Sequence, residues 1–291
     1  MNRVYKKLLN SKINKDRINE ILSFSESFYQ VYYLPKKNKK GSRKICKPDE
    51  ELAALQYAVL PLIKKLPTDR ASVAYEQGCS TRKNAFKHRK RPHILHADIK
   101  DFFGSIDQRI FFNALKRRFN SEELDTLWKL CSYKGGLPIG APTSPFLSNR
   151  IMKHIDLKMK RISPFIRYTR YADDMVFSSR KYLDRMLINK VSAILDEYGF
   201  RLNDAKTYFM TARREVTGII LTDANRLSTG TGFKKELKKD IYNLLVKNNG
   251  KVDAVRGKLA YLNSIEPAYA KAVKRKYAQY DNVALFKIIK N

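Results

Sequence analysis

Along this chain apolar positions recur every three or four residues in some stretches and alternate in others, and that rhythm predicts an ordered run of elements. Near the start, Ile18, Ile21, Leu22 and Ser25/Phe28 share one face, so the first 30 residues read as a helical extension. Basic and apolar residues then alternate from Lys36 to Lys47 around a Gly41-Ser42 turn signal, which predicts a hairpin. Glu50 to Lys65 has a helical pattern. His93 to Ile99 (HILHADI) reads as a buried strand ending at an acidic residue, with helices following over Ile106–Phe119 and Glu122–Ser132. Ser144 before Pro145 offers a hydroxyl N-cap and a first-turn proline, and Leu147, Ile151, Ile155 and Met159 continue one core face from it. A hairpin over Phe165–Ser179 carries Tyr171-Ala172-Asp173-Asp174 at its tip. A helix through Leu183, Leu187, Val191, Leu195 and Tyr198 and a strand from Phe200 come next. Beyond about residue 222, Phe233/Leu237/Ile241/Leu244 and Val252/Val255/Leu259/Leu262 read as amphipathic helices.

Strand, helices, hairpin, helix, strand is the order of a split βαβ sheet of the ferredoxin-like kind, an α+β fold. Such a sheet carries acidic residues from two distant segments to adjoining strand ends. Charge then narrows the partner. Lys+Arg 59 minus Asp+Glu 28 gives +31, an excess that self-repels unless a polyanion neutralises it, so nucleic acid is the expected partner. The plainer alternative is a soluble protein of a lysine-rich proteome. From Phe233 onward 14 Lys+Arg stand against 5 Asp+Glu, which marks a basic helical C-terminal unit. Cys46, Cys79 and Cys131 are scattered without a CxxC pair, which argues for reduced thiols and against a zinc site. No apolar run reaches the length of a membrane span, since Ala53 to Ile63 is short and broken by Gln56 and Pro61. The N-terminus also lacks a signal-peptide core. The expected location is the cytoplasm, with no membrane partner.

Two acidic clusters carry the candidate chemistry: Asp98 in HADIKDFFGSI and Asp173-Asp174 in RYTRYADDMVF. Carboxylates paired at a hairpin tip raise one another's pKa unless a cation lies between them. Their hard oxygens suit Mg²⁺, and a pair of such ions about 3.5–4 Å apart would clamp attacking and leaving oxygens. The alternative is that both aspartates are simple turn-formers. YADD in a hairpin, preceded by DIKDFFGSI and GLPIGAPTSP in that order, resembles the reverse-transcriptase family. The resemblance runs from about Tyr32 to Leu221 and takes in RKICKPDEELAALQ, the loop and helix Leu137 to Pro145, and GFRLNDAKT. NAFKH (Asn84 to His88) and Val216-Thr217-Gly218 match the NAxxH and VTG signatures of retron reverse transcriptases.

The resemblance implies a right-hand polymerase: an N-terminal helical extension over 1–30, fingers over 31–92, a palm over 93–222 with a finger insertion at about 105–145, and a basic helical thumb over 223–291. It implies that Asp98 and Asp173 bind both Mg²⁺ ions with Asp174 assisting, and that the Ile99 carbonyl helps hold the metal. Phe103 falls where the family keeps a ring against the sugar 2′ position; the alternative is that Phe102 and Phe103 both belong to the core. Arg43 and Lys44 are candidates for the triphosphate, in a chain where any cation could serve. Tyr171, Gly140 and Ile139 line the nucleotide position, and Ile139 departs from the family's usual glutamine. Lys206 matches the lysine that protonates pyrophosphate, or else is a solvated surface lysine. Asn84, His88, Val216, Thr217 and Gly218 are expected to contact nucleic acid, though NAxxH could be helix surface and VTG a strand end. Lys234, Lys235, Lys238 and Lys239 are expected to grip an RNA stem, unless they form a solvated face. The implied reaction copies dNTPs on a structured non-coding RNA, starting from an internal guanosine 2′-OH, to give branched RNA-linked DNA. The implied setting is antiphage defence with an effector protein, with host RNase H removing template. Two competitors are a group II intron-like or diversity-generating reverse transcriptase and a non-catalytic RNA-binding scaffold.

Overall fold

The computed structural model describes residues 2–35, 41–210, 213–247 and 249–277. Two short helices, α1 (Arg3–Leu9) and α2 (Lys15–Ser23), open the chain, each started by an asparagine whose side-chain oxygen accepts a first-turn N–H. Val4, Leu8, Ile18 and Ile21 sit fully buried in the main core, so this segment is built into the body of the molecule. A hairpin is present but shifted from the predicted Lys36–Lys47 span: β1 (Tyr29–Pro35) lies before it and β2 (Ser42–Pro48) begins at Ser42 of the predicted turn, with Tyr29 opposite Pro48 and Pro35 opposite Ser42. Residues 36–40 of the predicted hairpin lie outside the described residues. Helix α3 (Glu50–Lys64) is capped by Asp49 and α4 (Thr81–His88) by Ser80.

The scaffold of the molecule is a sheet of β3 (His93–Asp98), β4 (Arg167–Tyr171), β5 (Asp174–Ser179) and β6 (Tyr208–Met210). The order is β4-β5-β3-β6, with every neighbouring pair antiparallel. Leu95, Ala97, Met175 and Phe177 enter the main core, together with α5 (Gln108–Leu115), α6 (Ser121–Cys131), α7 (Ser144–Ile151), α8 (Lys153–Arg161) and α9 (Arg185–Glu197). Strand alternation sends Ile94 and Val176 to the other side. There they join Ala85 of α4 and a small sheet of β7 (Glu215–Val216), β8 (Ile219–Leu221) and β9 (Leu227–Ser228). Helices α10 (Gly230–Val246), α11 (Val252–Ile265) and α12 (Pro267–Tyr277) enclose their own core of Leu237, Ile241, Val255, Leu259, Leu262 and Val273. Residues 278–291 of the predicted C-terminal unit lie outside the described residues.

Several boundaries differ from the sequence pattern, each for a local reason. The run Leu147–Met159 is broken at Met152 into α7 and α8. Ser144 is not a cap: its hydroxyl donates to the Pro138 carbonyl at 2.7 Å and fastens the Leu137–Gly140 loop to the start of α7. The strand expected from Phe200 is delayed to Tyr208. Phe200 fills the core, Leu202 makes a single bridge to Ile99, and the intervening turn presents Asn203 to Asp98. Arg3 bonds Glu123 through Nε and Nη2 at 2.8 and 2.9 Å, which helps pin α1 to α6 and holds the Glu123 carboxyl down at about 2. Cys46 and Cys131 are buried, whereas Cys79 is half-buried, next to the Ser80 cap of α4. Among the described residues no helix is long and apolar enough to cross a membrane.

Candidate active site

Strand pairing brings the predicted acids together. Asp98 ends β3 directly opposite Asp174, which begins β5. Asp173 sits in the two-residue turn between β4 and β5, and its carbonyl accepts the Ile99 N–H at 3.2 Å, continuing the ladder past Asp98. Ala172, in the same turn, adopts left-handed backbone (φ 58°), a conformation that costs a non-glycine residue about 1 kcal/mol. A buried ion pair holds the turn there. Arg170 donates to Asp156 through Nε and Nη2, each at 2.8 Å, and through Nη1 to the Ala172 carbonyl at 2.9 Å. Tyr168 donates its hydroxyl to the same Asp156. Both partners of the pair are wholly buried.

The electrostatics of the three acids are those of a site that wants cations. Burial, and then the charge of Asp98, push the Asp173 carboxyl above the ordinary aspartate value. Burial also raises Asp174; His96 pulls it back, while Asp173 and Asp98 add to the rise. Lys206 donates to both Asp98 oxygens, at 3.0 and 3.2 Å, and the Asn203 amide donates to one of them at 2.8 Å. Burial works against the Lys206 ammonium, but the Asp98 pair outweighs it and holds that ammonium above the usual lysine value. Among the described residues no three His, Cys, Asp or Glu side chains close round a common point. This is an open row of carboxylates, the donor set that suits Mg²⁺ shared with substrate phosphates better than an all-protein cage.

The remaining nucleotide candidates separate. Arg43 is exposed on β2 and its charge acts on Asp173, whereas Lys44, one residue on, lies 5.2 Å over the Tyr133 ring. Adjacent strand residues point to opposite faces, so Arg43 faces the acids and Lys44 is the weaker candidate. Phe102 is core, packed on Phe200, while Phe103 is half-buried and remains available. The Ile139 carbonyl accepts the Cys46 N–H at 2.7 Å, which ties the Leu137–Gly140 loop to β2. Gly140 is required there: its φ is 120° and a Cβ would lie 3.0 Å from the Cys46 carbonyl. Tyr171 is half-buried and pairs with Asp174 across the hairpin.

Three of the expected nucleic-acid contacts, Asn84, His88 and Val216, are corrected, because all three lie inside the fold. Asn84 and His88 are fully buried. The His88 ring nitrogens bond Ser178 at 2.6 Å and Thr169 at 2.8 Å, and Thr169 donates to Asn84 at 2.5 Å. NAxxH is therefore a clasp between α4 and strands β4 and β5, and burial drives His88 to about 3, so it stays neutral. Val216 is core. Thr217 and Gly218, both with positive φ (48° and 80°), make the tight turn between β7 and β8, and the Thr217 hydroxyl donates to the Thr81 carbonyl on α4. Lys234 points inward, bonded to Glu266 at 2.6 Å and lying 4.4 Å over Tyr269. Lys238 also leans on Tyr269, whereas Lys235 and Lys239 are exposed.

The sequence pattern did not single out His96, Asn203, Tyr75, Tyr208 or the Arg170–Asp156 pair. His96 lies two residues before Asp98 on the same strand face, with Nε2 3.5 Å from Asp174 and its ring stacked on Tyr208. The alternation in HILHAD carried that signal. Tyr75 lies within reach of the Asp173 charge from a segment distant in sequence, so no local pattern could reveal it.

A family profile described as "Reverse transcriptase (RNA-dependent DNA polymerase)" matches residues 34–224, the stretch that contains the hairpin, the sheet and all three acids. With that match the chain belongs to the reverse transcriptases and is an RNA-directed DNA polymerase of right-hand α+β fold. Within the family its relatives place it among the retron reverse transcriptases. It is 31% identical to Retron Ec83 reverse transcriptase of Escherichia coli over 281 residues, covering 86% of this chain and 87% of that one. It is 28% identical to Retron Ec86 reverse transcriptase of Escherichia coli over 294 residues, covering 96% and 92%. A telomerase structure from Candida albicans, in complex with a fragment of telomeric RNA, superposes with a TM-score of 0.52 at 15% identity. That likeness covers 90% of this chain and 58% of the other, and it speaks for the fold alone. The family works with divalent metal ions.

Proposed function

We propose that this enzyme copies a cognate structured RNA into branched, RNA-linked single-stranded DNA, as a retron does, in the cytoplasm and in antiphage defence alongside an effector protein. The observation that carries the reading is the convergence of Asp98, Asp173 and Asp174 at one end of the sheet in a chain whose curated relatives are retron enzymes. Residues 31–92 act as fingers, 93–222 as palm with a finger insertion at about 105–145, and 223–291 as thumb, with 1–30 buttressing the core. Two Mg²⁺ ions held by the three carboxylates and the Ile99 carbonyl would supply charge neutralisation and activation of the attacking hydroxyl. The chain's own groups do the rest. Arg43 holds the triphosphate beside Asp173, and the Ile139–Gly140 edge and Tyr171 shape the nucleotide position. Phe103 bars a 2′-hydroxyl. Lys206, already within 3.0 Å of Asp98, is placed to give its proton to departing pyrophosphate. Lys235 and Lys239 grip phosphates of the RNA. Template removal falls to host RNase H.

Sequencing the nucleic acid that copurifies with the active enzyme tests this reading. DNA whose 5′ end is joined to an internal RNA 2′-oxygen, released by debranching enzyme and lost in Asp173→Asn, is expected. Linear DNA primed from ordinary 3′ ends would return the chain to the intron-like or diversity-generating alternatives.

A further inference from the structure

Helix α4 distributes its side chains against the usual rule. It buries Asn84 and His88 beneath it and leaves Phe86 48% exposed. Arg82 and Arg89, four residues before and three after Phe86, lie on the same outward stripe. The Arg89 guanidinium stacks on the Phe86 ring, 3.4 Å from its centroid. This stripe is one wall of a groove of about 620 Å³; Arg226, from the turn between β8 and β9, and Tyr269, near the start of α12, contribute to the others. Glu266 also lines the groove but is already committed to Lys234, Ser228 and Thr229. Among the described residues no carboxylate pairs with Arg82, Arg89 or Arg226.

We propose that this groove binds an unpaired stretch of RNA, with a base stacked on Phe86 and the adjoining phosphates on Arg82, Arg89 and Arg226. A solvent-facing ring beside unpaired arginines is the platform on which single-stranded bases stack while their backbone is neutralised. A duplex keeps its base faces inside the stack and would leave Phe86 uncovered. An acidic peptide would satisfy the arginines and likewise leave uncovered the face of the ring away from Arg89. The volume falls within the range of about 300–1,000 Å³ that ligand pockets take, enough for a nucleotide. The buried side of the same helix gives the groove its purpose. Through His88, Thr169 and Ser178 it is bolted to β4 and β5, the strands that meet at Asp173 and Asp174, so RNA held here stays at a fixed offset from the reacting end.

The proposal rests on the retron reading for its source of structured RNA with unpaired segments, and the test separates the two. Fluorescence anisotropy compares a labelled unpaired RNA of about eight nucleotides with a blunt RNA hairpin, on the full-length chain. Phe86→Ala is expected to weaken the unpaired RNA about tenfold and leave the hairpin unchanged, and Phe86→Tyr, which keeps a stacking face, to restore binding. Arg82→Gln with Arg226→Gln should lower the salt slope for unpaired RNA by about 1.4, at roughly 0.7 per phosphate contact on a single strand. Unaltered binding by Phe86→Ala, or equal loss on both RNAs, would overturn the groove. So would an acidic peptide that competes as well as the unpaired RNA. Sequencing the DNA that copurifies reads the retron reading separately: linear DNA primed from ordinary 3′ ends would fail that reading, whatever the groove binds.

Discussion

The two ends of the β4–β5 hairpin use polar residues in opposite ways. At the turn, Asp173 and Asp174 meet Asp98 with too few donors, and burial plus mutual repulsion push the hairpin pair above normal aspartate values. At the far end, Thr169 and Ser178 meet Asn84 and His88, buried and joined by bonds of 2.5–2.8 Å. The first arrangement is held out of balance and waits for external charge. The second has settled most of its polarity internally, with only the Asn84 amide nitrogen left without a partner, and it supports structure. Burial with largely satisfied bonds therefore separates architecture from chemistry better than the signature strings themselves do.

The sharpest way to break that contrast is to remove charge at the reactive end. Asp173→Asn should reduce primer extension about 10³-fold or more while leaving the melting temperature and RNA binding nearly unchanged. Residual activity above about a tenth of wild type would mean the turn is only a turn. Beneath it, Arg170→Met strands Asp156 in the core and should destabilise the fold by about 3–5 kcal/mol in urea titration; a stable, active variant would show that the turn does not need its ion pair.

The clasp end predicts a pH dependence. His88 drops from 6.5 to about 3 on folding, so the unfolded chain binds the proton first. Its contribution is complete above 6.5 and is lost as pH falls toward 3, amounting to about 2 kcal/mol by pH 5. Urea midpoints between pH 7 and pH 5 should therefore slide in the wild type and slide less in His88→Gln; parallel curves would remove His88 from the account. Nearer the acids, Phe103→Ala should raise GTP incorporation relative to dGTP about tenfold or more in single-nucleotide competition. An unchanged ratio would return Phe103 to the core. The smallest effect lies in the thumb. Lys235→Ala with Lys239→Ala should flatten the salt slope of RNA-stem binding by about two, whereas Lys234→Ala should mainly cost stability.

Much of the reactive end was legible because strand pattern, hairpin and acids are local, and Asp98 and YADD needed only strand pairing to meet. The clasp was not. NAFKH reads as a surface helix, since Asn and His are polar, and only tertiary packing shows that both are inside while Phe86 is outside. The Leu147–Met159 pattern gave the buried face correctly but could not reveal the break at Met152, because the two helices share that face. The small β7–β9 sheet was missed for its brevity, two to three residues per strand.

The three cysteines offer an experimental handle. Cys46 and Cys131 are closed off by packing, and burial raises both thiols, Cys131 to about 12, so neither readily forms the reactive thiolate. Cys79 is half-buried at the mouth of α4, one residue from the helix cap. A maleimide dye added in stoichiometric amount to the unaltered protein should therefore settle at that single position, and its emission would report in real time whatever RNA enters beside the helix.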